Sequence, residues 1–201
     1  MSEFFLEIFT EEIPAMLQND ARNSLFENFK NLFNEKQIKF KNSTVFSVPN
    51  RLVILFEGLS KQIIIDKEEK KGPSTKSPKE ALEGFLRSNK IIEKDIYKKE
   101  TEKGEFYFFL KPKEKIDTKD ILEKEIPIIL DKINWKKSMK WSYHNLLWGR
   151  PLKSLLAFFN NKTLHFNYHH LKSCNFTILD KEFEDKKKII RDYKTYVRCL
   201  K

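Results

Sequence analysis

The 201-residue sequence predicts an α+β fold, a mixed sheet with helices packed against it. Three patterns carry that expectation. Residues 4–9, Phe-Phe-Leu-Glu-Ile-Phe, form an almost unbroken apolar run of strand length. Behind it, Leu17, Ala21, Leu25, Phe29 and Leu32-Phe33 recur at three- and four-residue spacing, the period of an amphipathic helix. Short apolar runs bounded by Gly, Asn and Pro then follow and read as successive strands.

The first run is too apolar to have a solvated face, so its strand is predicted to be central. Pro14 suits the first turn of the helix, where its missing N–H would be unpaired anyway, and the pattern continues to about Gln37. Residues 44–48 and 52–57 read as strands flanking Pro49-Asn50, with 62–65 a third after Gly58. Residues 66–77, dominated by Lys, Glu, Gly and Pro, are expected to form a mobile polar loop. Ser77-Pro78-Lys79-Glu80 has the form of a capping box. It opens a helix that turns Leu82, Phe85 and Leu86 inward and stops near Asn89.

Residues 96–99 and 106–111 bracket Glu102-Lys103-Gly104-Glu105 as a hairpin with glycine at its turn. Thr118 is predicted to cap a helix containing Ile121, Leu122, Ile126, Ile129, Leu130 and Ile133, which Pro127 should kink or split. Residues 155–159 and 164–168, around Asn160-Asn161, read as a second hairpin. From Glu182 the pattern turns helical, with Phe183, Ile189, Ile190, Tyr193 and Val197 apolar. The expected division is therefore 1–173, an α+β domain, and 174–201, the helical start of a following domain.

With 40% hydrophobic residues and 18 phenylalanines, the chain has the means to build a core. No stretch approaches the roughly 20 apolar residues that cross a bilayer. The opening Met1-Ser2-Glu3-Phe4 lacks the basic segment of a secretory signal, so a cytoplasmic chain with no membrane partner is expected. Cys174 and Cys199 lack metal-ligand spacing and read as incidental thiols. The net charge of +10 is compatible with an RNA partner. It comes almost wholly from lysine, however, while Arg, the residue suited to forked phosphate recognition, is scarce. Ile, Asn and Phe abound beside Lys, and all four have A/T-rich codons, so base composition alone would also raise the charge.

No catalytic or metal-binding residue is predicted. There is no Gly-x-x-x-x-Gly-Lys-Ser/Thr loop and no Gly-x-Gly-x-x-Gly turn. His169 and His170, if on a strand, point to opposite faces and cannot share a metal. The pairs Glu11-Glu12 and Glu68-Glu69 have no nucleophile or electrophile beside them in the sequence. The richest stretch is 135–150, where Trp135, Trp141 and Trp148 lie among Lys136, Lys137, Lys140 and Arg150. Stacking faces beside cations suit single-stranded or looped RNA. The same tryptophans equally suit core or subunit-interface anchors with a solvated lysine rim.

Several motifs, in one order, resemble the β subunit of bacterial two-subunit glycyl-tRNA synthetase. Leu6-Glu7-Ile8-Phe9-Thr10-Glu11-Glu12-Ile13-Pro14 is similar to the family's Glu-Ile-Gly-Thr-Glu-Glu-Ile-Pro start, with Phe9 where glycine is frequent. Val48-Pro49-Asn50-Arg51-Leu52 resembles Thr-Pro-Arg-Arg-Leu, and Lys71-Gly72-Pro73 its Lys-Gly-Pro. Ala81-Leu82-Glu83-Gly84-Phe85 and Lys103-Gly104-Glu105-Phe106-Tyr107 also fall in register. So do Lys137-Ser138-Met139-Lys140-Trp141, similar to Lys-Ser-Met-Arg-Trp, and Arg150-Pro151-Leu152. After Ser173 the family's Thr-x-Gly-His-Arg-Phe element is missing, and the tail resembles a stretch from further downstream. The resemblance thus implies an N-terminal part of a β subunit, with an internal deletion after Ser173 and a C-terminal truncation.

What the resemblance implies is a non-catalytic β subunit. Its partners would be the synthetase α subunit and tRNA(Gly), and ATP with Mg would be used through the α subunit and not bound by this chain. Lys136-Lys137-Ser138-Met139-Lys140 has the composition, but not the order, of the class I synthetase lysine–serine loop, and its His-x-Gly-His companion is absent. The arginine-bearing motifs of class II are missing too, so this chain alone is expected to be inactive. Lys137, Lys140, Trp141, Arg150 and Arg51 are the candidate tRNA or subunit contacts. The alternatives are a stand-alone basic RNA-binding module and an inactive truncated relic.

Overall fold

A computed structural model describes residues 2–65, 67–102, 104–141, 143, 145–179 and 186–200. In chain order the elements begin β1 (Glu3–Thr10), α1 (Ala15–Glu35), β2 (Asn42–Val48), β3 (Arg51–Glu57), β4 (Gln62–Ile65) and β5 (Glu68–Ser74). There follow α2 (Lys79–Asn89), β6 (Ile96–Thr101), β7 (Gly104–Lys111), β8 (Glu114–Asp117) and α3 (Thr118–Asp131). The last elements are β9 (Leu152–Phe159), β10 (Lys162–Thr163), β11 (Asn167–Tyr168), β12 (Leu171–Lys172), β13 (Phe176–Ile178), β14 (Lys187–Ile189) and α4 (Tyr193–Leu200). The class is α+β, as expected. The chain forms two compact units, residues 1–63 with 117–201 and residues 64–116.

The first unit is built on a five-stranded sheet in the order β10-β9-β1-β3-β2. Its named pairings are antiparallel, and β1 lies between β3 and β9, with Leu6 opposite Ile54 on one side and Ala157 on the other. Period-two alternation divides its side chains between two buried faces. Phe4, Leu6 and Ile8 join Leu52, Ile54, Phe56, Leu155 and Ala157 beneath Leu25, Phe29 and Phe33 of α1 and Leu122 and Ile126 of α3. The Phe56 ring is the hub there, with Phe33 at 4.8 Å and Phe40 at 4.9 Å, both edge-on. Phe5, Val53, Leu55, Leu156 and Phe158 face the other way and are covered by Ile190 and Tyr196. Burial on both faces is why the β1 sequence is apolar throughout.

The second unit is a three-stranded antiparallel sheet, β5-β7-β6, with α2 against one face. Gly72 of β5 lies directly under Phe85 of α2, where a Cβ would come 2.9 Å from the ring. The chain leaves the first unit through β4 and returns through β8, and these two strands are neighbours in a two-stranded ribbon.

Several local expectations are corrected. Residues 68–74, expected as a loop, are the strand β5. Its Glu and Lys side chains conceal the signal, because the backbone pairs with β7 while the long side chains reach solvent. Ser77 makes no capping bond; Pro78 precedes the first turn of α2. Thr118 sits inside α3, and its hydroxyl donates 2.5 Å to the Ser60 carbonyl. α3 runs through Pro127 as one helix. The return strand of the second hairpin is only β10, after Asn160 and Asn161 turn the chain at φ 50° and 60°.

The helical start expected at Glu182, with Phe183, lies outside the described residues. Residues 187–189 are strand β14, paired with β13, and helix starts at Tyr193. Asp192 sets that start by accepting 2.6 Å from the Thr195 N–H, and this bond holds its carboxyl below the usual range. The expected division after Ser173 also differs from the observed units, since 174–201 belongs with the first.

Candidate functional site

The stretch 132–151 joins α3 to β9, and its described residues form no helix or strand. It is held by aromatic anchors. Trp148 is 1% exposed, and its ring lies 5.1 Å from Trp135 and 5.9 Å from Tyr168. Gly149 passes under Trp135 so closely that a Cβ would sit 2.3 Å from the indole carbons. Tyr168 in turn donates 2.9 Å to Asp131 at the end of α3, and burial plus this carboxylate pushes the phenol well above its usual pKa. Trp141 packs against the core margin and meets His170 edge-on at 5.8 Å.

Met139 and Trp148 exchange backbone hydrogen bonds of 2.8 and 3.2 Å, which tie these two positions together on either side of a turn at Tyr143. Ser142 and His144 lie outside the described residues. On the turn Tyr143 is fully exposed and Leu147 is 56% exposed. Lys137 and Lys140 stand in solvent, with no ion pair or hydrogen bond among the described residues. Lys136 differs, since its ammonium is bound 2.6 Å from Asp20 of α1.

Arg150 closes the turn at a pocket of about 850 Å³ lined by Glu11, Glu12, Pro14, Gln18 and Met139. One guanidinium nitrogen lies 3.8 Å from the Met139 sulfur, and the Arg150 Nε is buried with no hydrogen-bond partner among the described residues. The structure therefore brings Lys137, Lys140, Trp141 and Arg150 onto one segment. Of the two readings of the tryptophans, core anchoring with a solvated lysine rim describes Trp135 and Trp148, with Lys137 and Lys140 exposed.

Arg51 is elsewhere and is not a surface contact. It is 8% exposed, its Nε donates 3.1 Å to Glu7 and its Nη1 donates 3.0 Å to Asn50. Nη2 donates to the Ile178 carbonyl, and the guanidinium lies 4.7 Å over the Phe9 ring. A guanidinium buried to this degree, with all three of its nitrogens bonded inside the fold, does not present its fork to a phosphate at the surface.

A family model described as "Glycyl-tRNA synthetase beta subunit" matches residues 4–201. The chain belongs to the glycyl-tRNA synthetase β-subunit family. Among its relatives is the glycine–tRNA ligase β subunit of Rickettsia bellii (strain OSU 85-389), 34% identical over 196 residues. That alignment takes in 98% of this chain and 30% of the relative. The corresponding β subunits of Rickettsia prowazekii (strain Madrid E) and Rickettsia typhi (strain ATCC VR-144 / Wilmington) are 34% and 35% identical, each over 98% of this chain and 29% of theirs. The chain thus spans about 30% of the length of the curated relatives it matches. The match to the β-subunit family crosses Ser173 and includes the segment that covers the second sheet face.

One polar centre escapes sequence reasoning. Glu7, fully buried in β1, receives hydrogen bonds from Tyr196 at 2.5 Å, from Thr177 at 2.7 and 3.0 Å and from Arg51. Burial raises its carboxyl pKa, although the Tyr196 and Thr177 hydroxyls and Arg51 oppose the shift. The available signal was a lone acid inside an apolar strand. Among the described residues no group of three or more His, Cys, Asp or Glu is placed to hold a metal ion. No helix among them is long and apolar enough to cross a membrane.

Proposed function

We propose that the chain is a non-catalytic portion of a glycine–tRNA ligase β subunit. In this reading it contributes tRNA binding and subunit assembly to the ATP-dependent attachment of glycine to tRNA(Gly) in the cytoplasm. The family match over residues 4–201 carries the reading. The α subunit is the partner that activates glycine, and ATP with Mg belongs to the α subunit's site. Lys137 and Lys140 are the tRNA or subunit contacts, with Trp141 and Arg150 holding the segment that presents them. Their exposure, with no ion pair to either ammonium among the described residues, supports this assignment, as does the anchoring of the segment by Trp135 and Trp148.

The test replaces Lys137 and Lys140 by Glu in the 201-residue chain. tRNA(Gly) binding is then followed by filter retention across a salt titration, alongside co-purification with the α subunit. The expected result is weaker tRNA binding with a shallower salt dependence, the slope falling by about one for each phosphate that is no longer neutralised. Loss of α-subunit co-purification with tRNA binding intact would make these residues subunit contacts. Unchanged behaviour in both assays would remove them from either role. RNA binding with no α-subunit association would favour a stand-alone RNA-binding module.

A further inference from the structure

The outer strands of the two larger sheets are β10, β2, β5 and β6, and all but β2 are protected against further pairing. β10 is only two residues long, Lys162–Thr163. β6 carries Lys98, Lys99 and Glu100. β5 carries Glu68, Glu69, Lys70, Lys71 and Pro73, and its register is broken between Lys71 and Ser74. Short length, charge, proline and irregularity are the devices that keep a strand edge from taking up another strand. β2, Asn-Ser-Thr-Val-Phe-Ser-Val, has none of them. It is uncharged, and its register on β3 runs unbroken from Asn42 opposite Glu57 to Val48 opposite Arg51.

The bonding direction of β3 decides which groups on that edge are open. The Gly58 N–H donates 2.8 Å to the Ser2 carbonyl, and the Thr10 N–H donates 3.0 Å to the Asn50 carbonyl, so the even-numbered residues of β3 bond to β1. Antiparallel bonding alternates, which turns Arg51, Val53, Leu55 and Glu57 toward Val48, Phe46, Thr44 and Asn42. Ser43, Val45 and Ser47 therefore direct their N–H and C=O groups away from the sheet, and none of these groups is hydrogen-bonded among the described residues. Apolar side chains flank the open edge on both faces. Val45 packs against the core beneath α1, Phe46 is half-buried on the other face, and Val48 is 40% exposed. At the Asn42 end, Lys39 and Lys41 are exposed and have no ion pair among the described residues.

We infer that this edge takes up, antiparallel, an extended segment of another protein. That segment sets β-branched or aromatic residues beside Val45 and Phe46, and an Asp or Glu at its C-terminal end against Lys39 and Lys41. Donors and acceptors alternating at two-residue spacing are matched by a backbone in strand conformation. A nucleic acid brings phosphate acceptors but no such row of donors. Antiparallel order continues the pairing of β2 with β3 and brings the C-terminal end of the segment to the two lysines. A second copy of this chain fits less well. Pairing β2 with itself about Val45 sets Lys41 across from Pro49, supplies no acid, and brings together two chains of net charge +10. The inference uses neither Lys137 nor Lys140 and stands independently of their assignment.

The test uses the full chain and a fluorescein-labelled peptide of alternating threonine and valine ending in three glutamates, read by anisotropy. Two counterparts are compared with it, one ending in three lysines and one N-methylated at alternate backbone nitrogens. The glutamate peptide should bind, the lysine peptide at least about threefold more weakly, and the N-methylated peptide not at all. Ser47→Pro deletes one outward N–H at an edge position, where proline is tolerated, and a thermal melt checks that it folds. It should weaken binding about two- to tenfold, the contribution of one hydrogen bond. Lys39→Gln/Lys41→Gln should abolish the preference for the glutamate tail. In the unmodified chain, amide exchange at Ser43, Val45 and Ser47 should slow when the peptide is added, a readout that needs no variant to fold. Failure of the glutamate peptide to bind, equal binding by the N-methylated peptide, or no preference between the two tails would each overturn the inference. So would slowed exchange confined to residues outside 43–47, or unchanged binding by folded Ser47→Pro. A chain that dimerises without peptide, and that Ser47→Pro makes monomeric, would give the edge to a second copy and overturn it as well.

Discussion

Tyr196 donates a 2.5 Å hydrogen bond to Glu7, joining the C-terminal helix to the central strand across 189 positions. Thr177 and Arg51 converge on the same carboxylate, and Arg51 also reaches the Ile178 carbonyl. A single acid in β1 thus ties both β13 and α4 to the sheet. Around it the packing is apolar, with the Tyr196 ring 4.6 Å from Phe5. Tyr196→Phe retains that ring packing and removes only the hydroxyl, so it should cost about 1–3 kcal/mol. Glu7→Ala also strands the buried Arg51 charge and should cost about 3–5 kcal/mol. Urea denaturation of the two variants checks the order, and a neutral Tyr196→Phe would deny the bond its role.

The Glu7 carboxyl also predicts a direction of pH dependence. Burial raises its pKa in the folded chain above the ordinary 4.5. Between those two values the folded state holds a proton that the unfolded chain has released, so stability falls as pH rises. The contribution is fully present below pH 4.5 and is lost as pH passes through the raised folded value. Glu7→Gln removes this titration. Relative to the Gln variant, the unmodified chain should lose stability as pH rises from about 4 toward neutrality. Denaturation midpoints of both across that range give the answer, and a relative gain would reverse the sign.

Gly149 is required for space. A Cβ there would lie 2.3 Å from two carbons of Trp135, whose ring is backed by Trp148 at 5.1 Å. Gly149→Ala must therefore displace the indole from its seat. It should cost about 1–3 kcal/mol, the usual range for overpacking a filled site. The displacement should also move tryptophan fluorescence, because Trp135 would gain solvent. An unchanged emission maximum together with unchanged stability would show that the segment yields freely.

The sequence revealed most where one element's own periodicity decides its state. β1 is apolar because both of its faces are buried, and α1 shows its buried stripe at Leu17, Ala21, Leu25, Phe29 and Phe33. It failed where backbone pairing overrides side-chain pattern. β5 reads Glu-Glu-Lys-Lys-Gly-Pro-Ser and is a strand only because β7 accepts it. It failed again over long separations: nothing local tells that Arg51 turns inward to Glu7, or that α4 returns to Phe5. At the candidate site, the grouping of Lys137, Lys140, Trp141 and Arg150 was legible from proximity in the chain. The anchoring of Trp135 and Trp148 was not, because their neighbours Tyr168 and Gly149 matter only once the chain is folded.

Pro127 offers a stabilising substitution. It lies inside α3, where it cannot donate to the carbonyl of Glu123 four residues earlier. Alanine would supply that N–H and is favoured by about 3 kcal/mol in a helix interior. The unfolded chain gains freedom when proline is removed, which offsets roughly 0.4–1 kcal/mol of the benefit. Pro127→Ala should therefore raise stability by about 2 kcal/mol. Thermal melting tests this, and a destabilised variant would mean that the proline ring itself fills space in the α3 packing.

The chain by itself should not activate glycine. Forming glycyl-adenylate requires groups that hold the ATP phosphates in line and offset charge building at the reacting phosphorus. Its glycines, at 58, 72, 84, 104 and 149, are isolated from one another and cannot make a phosphate-cradling loop. Of its arginines, Arg51 is committed to Glu7, and Arg150 is the one cation among the described residues that line its pocket, too few to hold a polyphosphate. The purified chain should give no glycine-dependent exchange of pyrophosphate into ATP, while the α subunit, assayed alone, carries whatever exchange there is. Exchange above background from this chain, abolished by substituting Arg150 or Lys140, would overturn the non-catalytic assignment and move the reaction onto the surface assigned to binding.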